Sequence, residues 1–358
     1  MTYTLQKVGS DAEVFLLSPI TKDIIPICGL IGGTKENPLP VLDTPGFAIQ
    51  EDNVLFEFNI PPASTAEEFQ HNMQRILQFV VKKAKSLGFD IRCSSIELLK
   101  NEYLQSPQAN QFGCDPDFDV YHKKVNPAPG MKDLIRLDSA GNARGELRCA
   151  GTHIHVSFLV DDNPPTLEDV EQLVKVMDMF VGVPLSGFDD SERRNYYGRP
   201  GCFRLKPYGL EYRVLGSKIL GNDPIIFDYI FSRIVSGIAY LNANSPDAVS
   251  SLLQELANYV FEALIGHGMT AKTRRESVMN YLHIPALALP LPTQQEKSQP
   301  SKKSKPPVLD WQESGNIPTP LPTANYWINT TSPLPIGSQS YTFTTDYHPD
   351  HDPQESNG

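Results

Sequence analysis

The sequence predicts an α+β fold in which a largely antiparallel sheet is flanked by helices. Three observations predict it. Segments in which polar and apolar residues alternate with period two are typical of strands, segments with apolar residues every three or four positions are typical of helices, and the two kinds do not alternate regularly. A doubly wound parallel sheet requires regular βα alternation, so the mixed order favours an antiparallel sheet.

Several segments are predicted to form strands. The first is residues 14–17, entered through a polar turn at 9–13, and the second is residues 53–60, which stops at two prolines. A short strand is expected near residues 91–99, and the clearest alternation lies at residues 149–159. The loop-rich segments between them separate the strands in sequence.

Helices are predicted from their capping residues and their apolar periodicity. Ser64 and Glu67 have the spacing of a capping box and predict a helix that ends near Gly88, and Thr166 with Asp169 predicts another. Further helices are expected at about 223–242, 246–265 and 271–282.

The length of 358 residues allows one large domain with an enclosed site. Beyond about residue 285 the composition shifts to Pro, Ser, Lys and Gln, which cannot assemble a core. We therefore expect a folded domain at 1–285 and a Pro-rich linker with a disordered tail at 286–358. The tail is a candidate docking segment.

Charge and cysteine usage restrict the class of protein. A formal net charge of −11 argues against a generic nucleic-acid binder. Five scattered cysteines without a CxxC pair favour reduced thiols over a disulfide framework or a zinc knuckle. The N-terminal segment lacks the pattern of a signal peptide, and no stretch is expected to span a membrane. We expect a soluble, cytoplasmic protein.

Polar side chains at positions i and i+2 recur on four predicted strands, where they share a face. The sets are Asp11 with Glu13, Glu57 with Asn59, His153 with His155 and Ser157, and Glu211 with Arg213. Taken singly, each has a structural alternative: a turn cap for Asp11, a solvent-facing carboxylate for Glu57 and a half-solvated strand for the histidines. Together, carboxylates and imidazoles on rigid strands predict a site for Mg²⁺ or Mn²⁺.

A basic cluster precedes and enters the last of these strands. Its members are Arg193, Arg194, Arg199, Arg204, Lys206 and Arg213. Arginine beside a divalent cation can neutralise a transferring phosphoryl group, so Arg204 and Arg213 are predicted to contact phosphate. The alternative is a solvated face that balances an acidic protein. The sequence lacks GxxxxGK[ST], which excludes a P-loop.

Four segments, GSDAEVFL, QEDNVLFEFNIPP, AGTHIHVSF and GRPGCFRLKPYGLEYRVL, occur in this order. Jointly they resemble the phage-type carboxylate-amine ligases, type 2, of the glutamine synthetase and glutamate-cysteine ligase superfamily. The resemblance covers about residues 5–285. It implies that the sheet curves into a glutamine synthetase-like catalytic funnel. It also implies an enzyme that uses ATP and Mg²⁺ to join a small-molecule or peptide carboxylate to an amine through an acyl phosphate, in the host cytoplasm if phage-encoded.

The resemblance also implies roles for individual residues. The implied metal ligands are Asp11, Glu13, Glu57, His153 and Glu211. The resemblance implies His155 and Ser157 as ATP contacts, and the basic cluster adds Arg204 and Lys206. The expected catalytic residues are Arg213, Arg204 and His155. Two residues depart from the superfamily pattern: Asp11 stands where glutamine synthetases have glutamate, and Thr152 stands where glycine is common. Residues 28–41 and 114–121 are candidate substrate loops.

Two other functions stay open at this point. A metal-dependent hydrolase could use the histidines and carboxylates to activate water, although the H-x-H pattern here lies mid-chain after two acidic strands. A non-catalytic binding or virion-associated protein could keep the fold and dock through its tail. Nucleotide-dependent turnover would distinguish the ligase from both.

Overall fold

The computed structural model describes residues 1–110, 117–126, 134–137 and 143–287, and for residues 143 and 144 the backbone alone. From residue 288 onward the predicted linker and tail lie outside this part of the chain, as do residues 114–116 of the second candidate substrate loop. The described residues combine helices with a large antiparallel sheet, which confirms the predicted α+β fold.

The described residues contain fourteen strands in two sheets, and their pairings are antiparallel. In chain order the strands are β1 (Tyr3–Leu17), β2 (Ile24–Ile25), β3 (Leu39–Pro40), β4 (Ala48–Asp52), β5 (Leu55–Asn59), β6 (Asp90–Arg92), β7 (Ile96–Lys100), β8 (Asp117–Asp119), β9 (Lys124–Asn126), β10 (Ile135–Leu137), β11 (Ala143–Cys149), β12 (Thr152–Val160), β13 (Cys202–Lys206) and β14 (Gly209–Tyr212). Eleven of these form the main sheet, whose central order is β5, β1, β12, β14, β13, while β10, β11 and β7 form a second sheet.

The register of the five central strands aligns the polar residues of different strands. The opposed pairs are Glu57–Glu13, Asn59–Asp11, Asp11–His153, His155–Glu211 and Glu211–Arg204. Side chains directly opposite each other on neighbouring strands project from the same face. The polar sets that the sequence places on separate strands therefore form one continuous row.

Strand β1 is longer than the sequence predicts. The polar turn predicted at residues 9–13 is wrong, because these residues lie inside one 15-residue strand. There β12 pairs with one edge of β1 and β5 with the other, so both sides of its backbone are hydrogen-bonded within the sheet. The single strand predicted near 91–99 is also wrong, since it divides into β6, which pairs with β1, and β7, which lies in the second sheet.

The long helices fall close to their predicted positions. They are α1 (Ala66–Ser86), α2 (Leu167–Met177), α3 (Ile225–Ala243), α4 (Pro246–Ile265) and α5 (Gly268–Tyr281). Thr166 and Asp169 form the predicted capping box of α2. The start of α1 is one residue later than predicted: Thr65 is the N-cap, and Glu68 accepts a hydrogen bond from the backbone of Ser64.

The apolar face of the main sheet packs against α1, α2 and α3 in one core. Helix α3 is 19 residues long with a mean hydropathy of 1.2, so by length and composition alone it could cross a membrane. The expectation that no stretch reaches this length is wrong by that criterion. In the structure, Phe227, Ile230 and Ile234 of α3 are buried in the core, and the helix packs on α1 and β1.

Candidate functional site

A cavity of about 380 Å³ lies over the polar row of the main sheet. Its volume is in the range of small-molecule sites. Nine of the ten site residues expected from the sequence line it: Asp11, Glu13, Glu57, His153, His155, Arg204, Lys206, Glu211 and Arg213. The antiparallel register brings these side chains together from β1, β5, β12, β13 and β14.

The two histidines of β12 share the carboxylate of Asp11. Its Oδ1 lies 2.9 Å from Nδ1 of His153, and its Oδ2 lies 3.1 Å from Nε2 of His155. The Tyr208 hydroxyl contacts the other ring nitrogen of His155, Nδ1. Burial would raise the pKa of Asp11, but the imidazoles of His155 and His153 outweigh burial and lower this pKa well below its usual range.

His153 is held as a neutral, tightly packed imidazole. Burial and the charge of Arg213 lower the pKa of His153 to about 4, so the ring is uncharged at neutral pH. Its Nε2 makes no hydrogen bond within the part of the chain that the structure describes. A Cβ at position 151 would lie 2.4 Å from this nitrogen, so the packing of the ring requires Gly151.

The carboxylate of Glu211 lies among the positively charged side chains of the cavity. Its Oε2 lies 2.7 Å from Nζ of Lys206, and its Oε1 lies 3.6 Å from a guanidinium nitrogen of Arg204. Arg213 contacts the same Oε1 and also lies 2.7 Å from Oδ1 of Asp117. A carboxylate that is only 1% exposed is therefore compensated by three cations of the chain.

Glu13, Asp52 and Glu57 form an acidic group at the other end of the row, with one oxygen of each within 4.8 Å of the others. Burial and the nearby Asp52 raise the pKa of Glu13 to about 8, although the Gly151 N–H donates to its carboxylate. Burial and the neighbouring carboxylates raise the pKa of Glu57 well above its usual range. A proton and a divalent cation compete for the same carboxylate oxygens, so the raised pKa values would make metal binding by this group dependent on pH.

Among the described residues, two groups of side chains bring together donor atoms that could hold a divalent cation. They are Asp11, His155 and Glu211, and Glu13, Asp52 and Glu57. Carboxylate oxygens suit Mg²⁺, and a site that adds an imidazole nitrogen also suits Mn²⁺. The donor chemistry therefore fits the metals expected from the sequence.

Both histidines of β12 border the same two carboxylates. The resemblance implies a metal contact for His153 and a phosphate contact for His155, and His155 is also grouped with Asp11 and Glu211 as a possible metal ligand. Nδ1 of His153 also lies close to both carboxylates, 2.9 Å from Oδ1 of Asp11 and 3.7 Å from Oε1 of Glu211, while its Nε2 lies against Gly151.

Ser157 is the one expected site residue that does not line the cavity. It lies on the same strand as the histidines, opposite Lys7 on one side and Gly209 on the other. The polar stripe of β12 therefore extends beyond the cavity.

Three arginines of the basic cluster lie elsewhere. Arg193 is buried, with its guanidinium 5.3 Å from the ring centroid of Tyr197, and Arg194 is buried against Asp189. Arg199 lines a different cavity. Three members of this cluster line the main cavity. They are Lys206 and the two arginines predicted to contact phosphate, Arg204 and Arg213.

Several cavity residues have no role in the sequence-based expectation: Lys35, Gln50, Asp52 and Tyr208. Lys35 lies within the first candidate substrate loop. Gln50 and Asp52 occupy positions i and i+2 of β4, just before Asn53, whose φ of 55° marks the turn into β5. Because Gln50 pairs with Glu57, this turn places Asp52 on the same face, and the alternation before the turn is the signal that could have identified it.

Residues 136–238 match the family model for phage phiEco32-like COOH.NH2 ligase-type 2. A comparison with curated proteins finds no match for the chain. The family match confirms the resemblance to the phage-type carboxylate-amine ligases and indicates a ligase. It covers His155, Arg204 and Glu211, whereas Asp11 and the acidic group on β1, β4 and β5 lie before it, so their place in the site rests on geometry.

Proposed function

We propose that the protein is an ATP- and Mg²⁺-dependent carboxylate-amine ligase that forms an amide through an acyl phosphate. The observation that carries this proposal is the division of one cavity into a carboxylate-rich end and a cation-rich end. Transfer of a phosphoryl group from ATP needs both ends, because the protein must hold metal ions while arginine and lysine contact the phosphate oxygens. The match to a ligase family supports the same reaction class.

The two groups defined above, Asp11 with His155 and Glu211, and Glu13 with Asp52 and Glu57, would hold the metal ions. Bound Mg²⁺ would neutralise negative charge on the transferring phosphoryl group. The chain contributes the rigid framework, since these side chains project from hydrogen-bonded strands rather than from loops. Asp11 fixes the ring of His155, and Tyr208 contacts its far nitrogen.

Arg204, Lys206 and Arg213 would bind the phosphates. In the proposed reaction a carboxylate oxygen of the substrate attacks the γ-phosphorus of ATP, the bond to ADP breaks, and an acyl phosphate forms. The amine nitrogen then attacks the acyl carbon, phosphate leaves, and the nitrogen releases its proton to solvent. Positioning and charge neutralisation by these cations would supply most of the rate enhancement.

We place the reaction in the cytoplasm, or in the host cytoplasm if a phage encodes the protein.

The test is titration of ATP into the full chain with and without Mg²⁺, followed by a turnover assay in which hydroxylamine traps an acyl phosphate as a hydroxamate. We expect Mg²⁺-dependent ATP binding in the wild type and its loss in Glu211→Gln and His155→Ala. Ser157→Ala is the matched control, since Ser157 lies on the same strand but outside the cavity. Hydroxamate formation from a panel of small carboxylates would identify the acid substrate.

The same experiment separates the other functions. Metal-dependent hydrolysis without any nucleotide requirement would favour the hydrolase, for which the same carboxylates and imidazoles have suitable chemistry. Absence of both nucleotide binding and turnover would favour a binding protein that retains the fold. Full activity in Glu13→Gln, His153→Ala and Glu211→Gln together would exclude the proposed site.

A further inference from the structure

A second cavity, of about 360 Å³, shares no lining residue with the first among the described residues. It lies between the β8–β9 hairpin, the turn Ser191–Asn195 and the C-terminal end of α4. Its lining combines Lys124, Arg194 and Arg199 with the apolar side chains of Phe261 and Ile265. Among the described residues, three basic side chains therefore line this cavity, although the chain as a whole has a net charge of −11.

Arg194 is the fixed element of this cavity. The residue is 1% exposed, its guanidinium contacts Asp189, and another of its nitrogens donates to the carbonyl oxygen of Leu264 at 3.2 Å. The remaining nitrogen, Nε, has no hydrogen-bond partner in the described part of the chain. A buried guanidinium with a spare N–H, held in place by its other contacts, is a preorganised donor for an anion.

Lys124 and Arg199 supply the uncompensated charge. Both are exposed, and within the described ranges neither pairs with a carboxylate. Arg199 donates to the carbonyl oxygen of Asn195 at 3.2 Å, which leaves its positive charge uncompensated.

Among the described residues that line this cavity, Asp119 is the one acidic side chain, and its carboxylate is hydrogen-bonded within its own hairpin. Its Oδ1 accepts hydrogen bonds from the backbone N–H groups of Tyr121 and His122, and its Oδ2 lies 2.6 Å from Nδ1 of His122. These contacts reduce the repulsion that a bound anion would meet. The cavity therefore keeps a net positive lining.

We propose that this second cavity binds a small organic anion whose carboxylate or phosphate group is carried on an apolar or aromatic body. Arg194, Lys124 and Arg199 would contact the anionic group, and Phe261 with Ile265 would cover the body. The two cavities are adjacent, because Asp117, which pairs with Arg213 of the first cavity, lies two residues from Asp119 on β8, about 7 Å along the strand.

The experiment is a titration of the full chain with phenylacetate, acetate and inorganic phosphate, monitored by calorimetry and by saturation transfer to the ligand protons where these exist. Phenylacetate should bind more tightly than acetate, because only phenylacetate can cover the apolar wall. The phosphate arm shows which anionic group the cations prefer. The double variant Lys124→Gln with Arg199→Gln should weaken phenylacetate binding by at least about tenfold, since each change removes a charged hydrogen-bond donor.

Lys123→Gln is the matched control for the Lys124→Gln change, because it removes one positive charge from the neighbouring position of the same hairpin while the Lys123 side chain pairs with Glu171 outside the cavity. We expect it to bind phenylacetate like the wild type. Lys206→Gln, which changes the first cavity alone, should also leave this affinity unchanged. The proposal is overturned if none of the three anions binds at millimolar concentrations, if the double variant keeps the wild-type affinity, or if Lys206→Gln is the variant that loses binding.

Discussion

The two ends of the main cavity place glutamates of similar burial in opposite environments. Glu13 lies among other carboxylates on neighbouring strands, and burial with Asp52 raises its pKa to about 8. Glu211 lies among Lys206, Arg204 and Arg213, which compensate its charge. The difference is that the described chain provides no salt-bridge partner for the carboxylates at one end, whereas the carboxylate at the other end already lies among cations of the chain. The first predictions below each change one end and leave the other intact, and the last one changes a residue outside the cavity.

Glu211→Gln should have the largest effect on the metal-free protein. It removes the buried carboxylate that compensates three cations, and removing one partner of a buried ion pair costs about 3–5 kcal/mol. We expect the free energy of unfolding at pH 7 to fall by this amount, measured as a lower urea midpoint with an unchanged slope. An unchanged midpoint would mean that solvent, rather than Glu211, compensates these cations.

Glu13→Gln is the same substitution at the acidic end, where we expect a small effect on stability and a large effect on metal affinity. With a pKa of about 8, Glu13 is mostly protonated at pH 7, so a neutral amide should change the metal-free stability little. Mg²⁺ affinity should fall by at least about tenfold, because even the loss of a residue that only contacts a metal ligand weakens metal binding by about this factor. Calorimetric titration of Mg²⁺ measures this affinity. A destabilisation as large as that of Glu211→Gln would remove the distinction between the two ends.

The raised pKa of Glu13 also predicts a pH dependence. Because this pKa lies at about 8 in the folded protein against a usual 4.5, the folded state binds a proton that the unfolded state has lost over this interval. The metal-free stability should therefore decrease as the pH rises from about 5 to about 8 and then level off. Thermal unfolding across this range is the measurement, and Glu13→Gln should make the decrease shallower. At pH 7, Mg²⁺ binding should release protons, seen as a binding enthalpy that depends on the buffer.

The sequence predicts which residues form this site better than it predicts how they are arranged. Alternation with period two identifies Glu13, Glu57, His155 and Glu211 as same-face strand residues, because this property is local. Asp52 is missed because its position depends on which strand β4 pairs with. The way in which His153 and His155 share Asp11 depends on the orientation of two rings, which a sequence pattern does not contain. The division of residues 90–100 between two sheets is likewise decided by tertiary pairing, which local propensity does not specify.

Tyr208→Phe should have a smaller effect that is confined to the metal group containing His155. The hydroxyl contacts Nδ1 of His155, and removing a partner that orients a metal-binding histidine weakens metal affinity by about tenfold. Mn²⁺ titration of this variant should show a loss at one of two sites, with the Glu13 group unaffected. Tyr240→Phe is a suitable control, because Tyr240 packs on Phe180 away from the cavity. Equal loss at both sites would indicate a general disturbance of the sheet.

Ser157→Ala should have the smallest effect of the series. The resemblance assigns Ser157 to ATP, but its side chain does not line the cavity. We expect its free energy of unfolding to stay within about 0.5 kcal/mol of the wild type, as for most substitutions outside buried networks. ATP affinity should be unchanged by the same calorimetric titration. A clear loss of ATP affinity with unchanged stability would instead extend the nucleotide site along β12, so that the polar stripe, rather than the cavity, would define its limits.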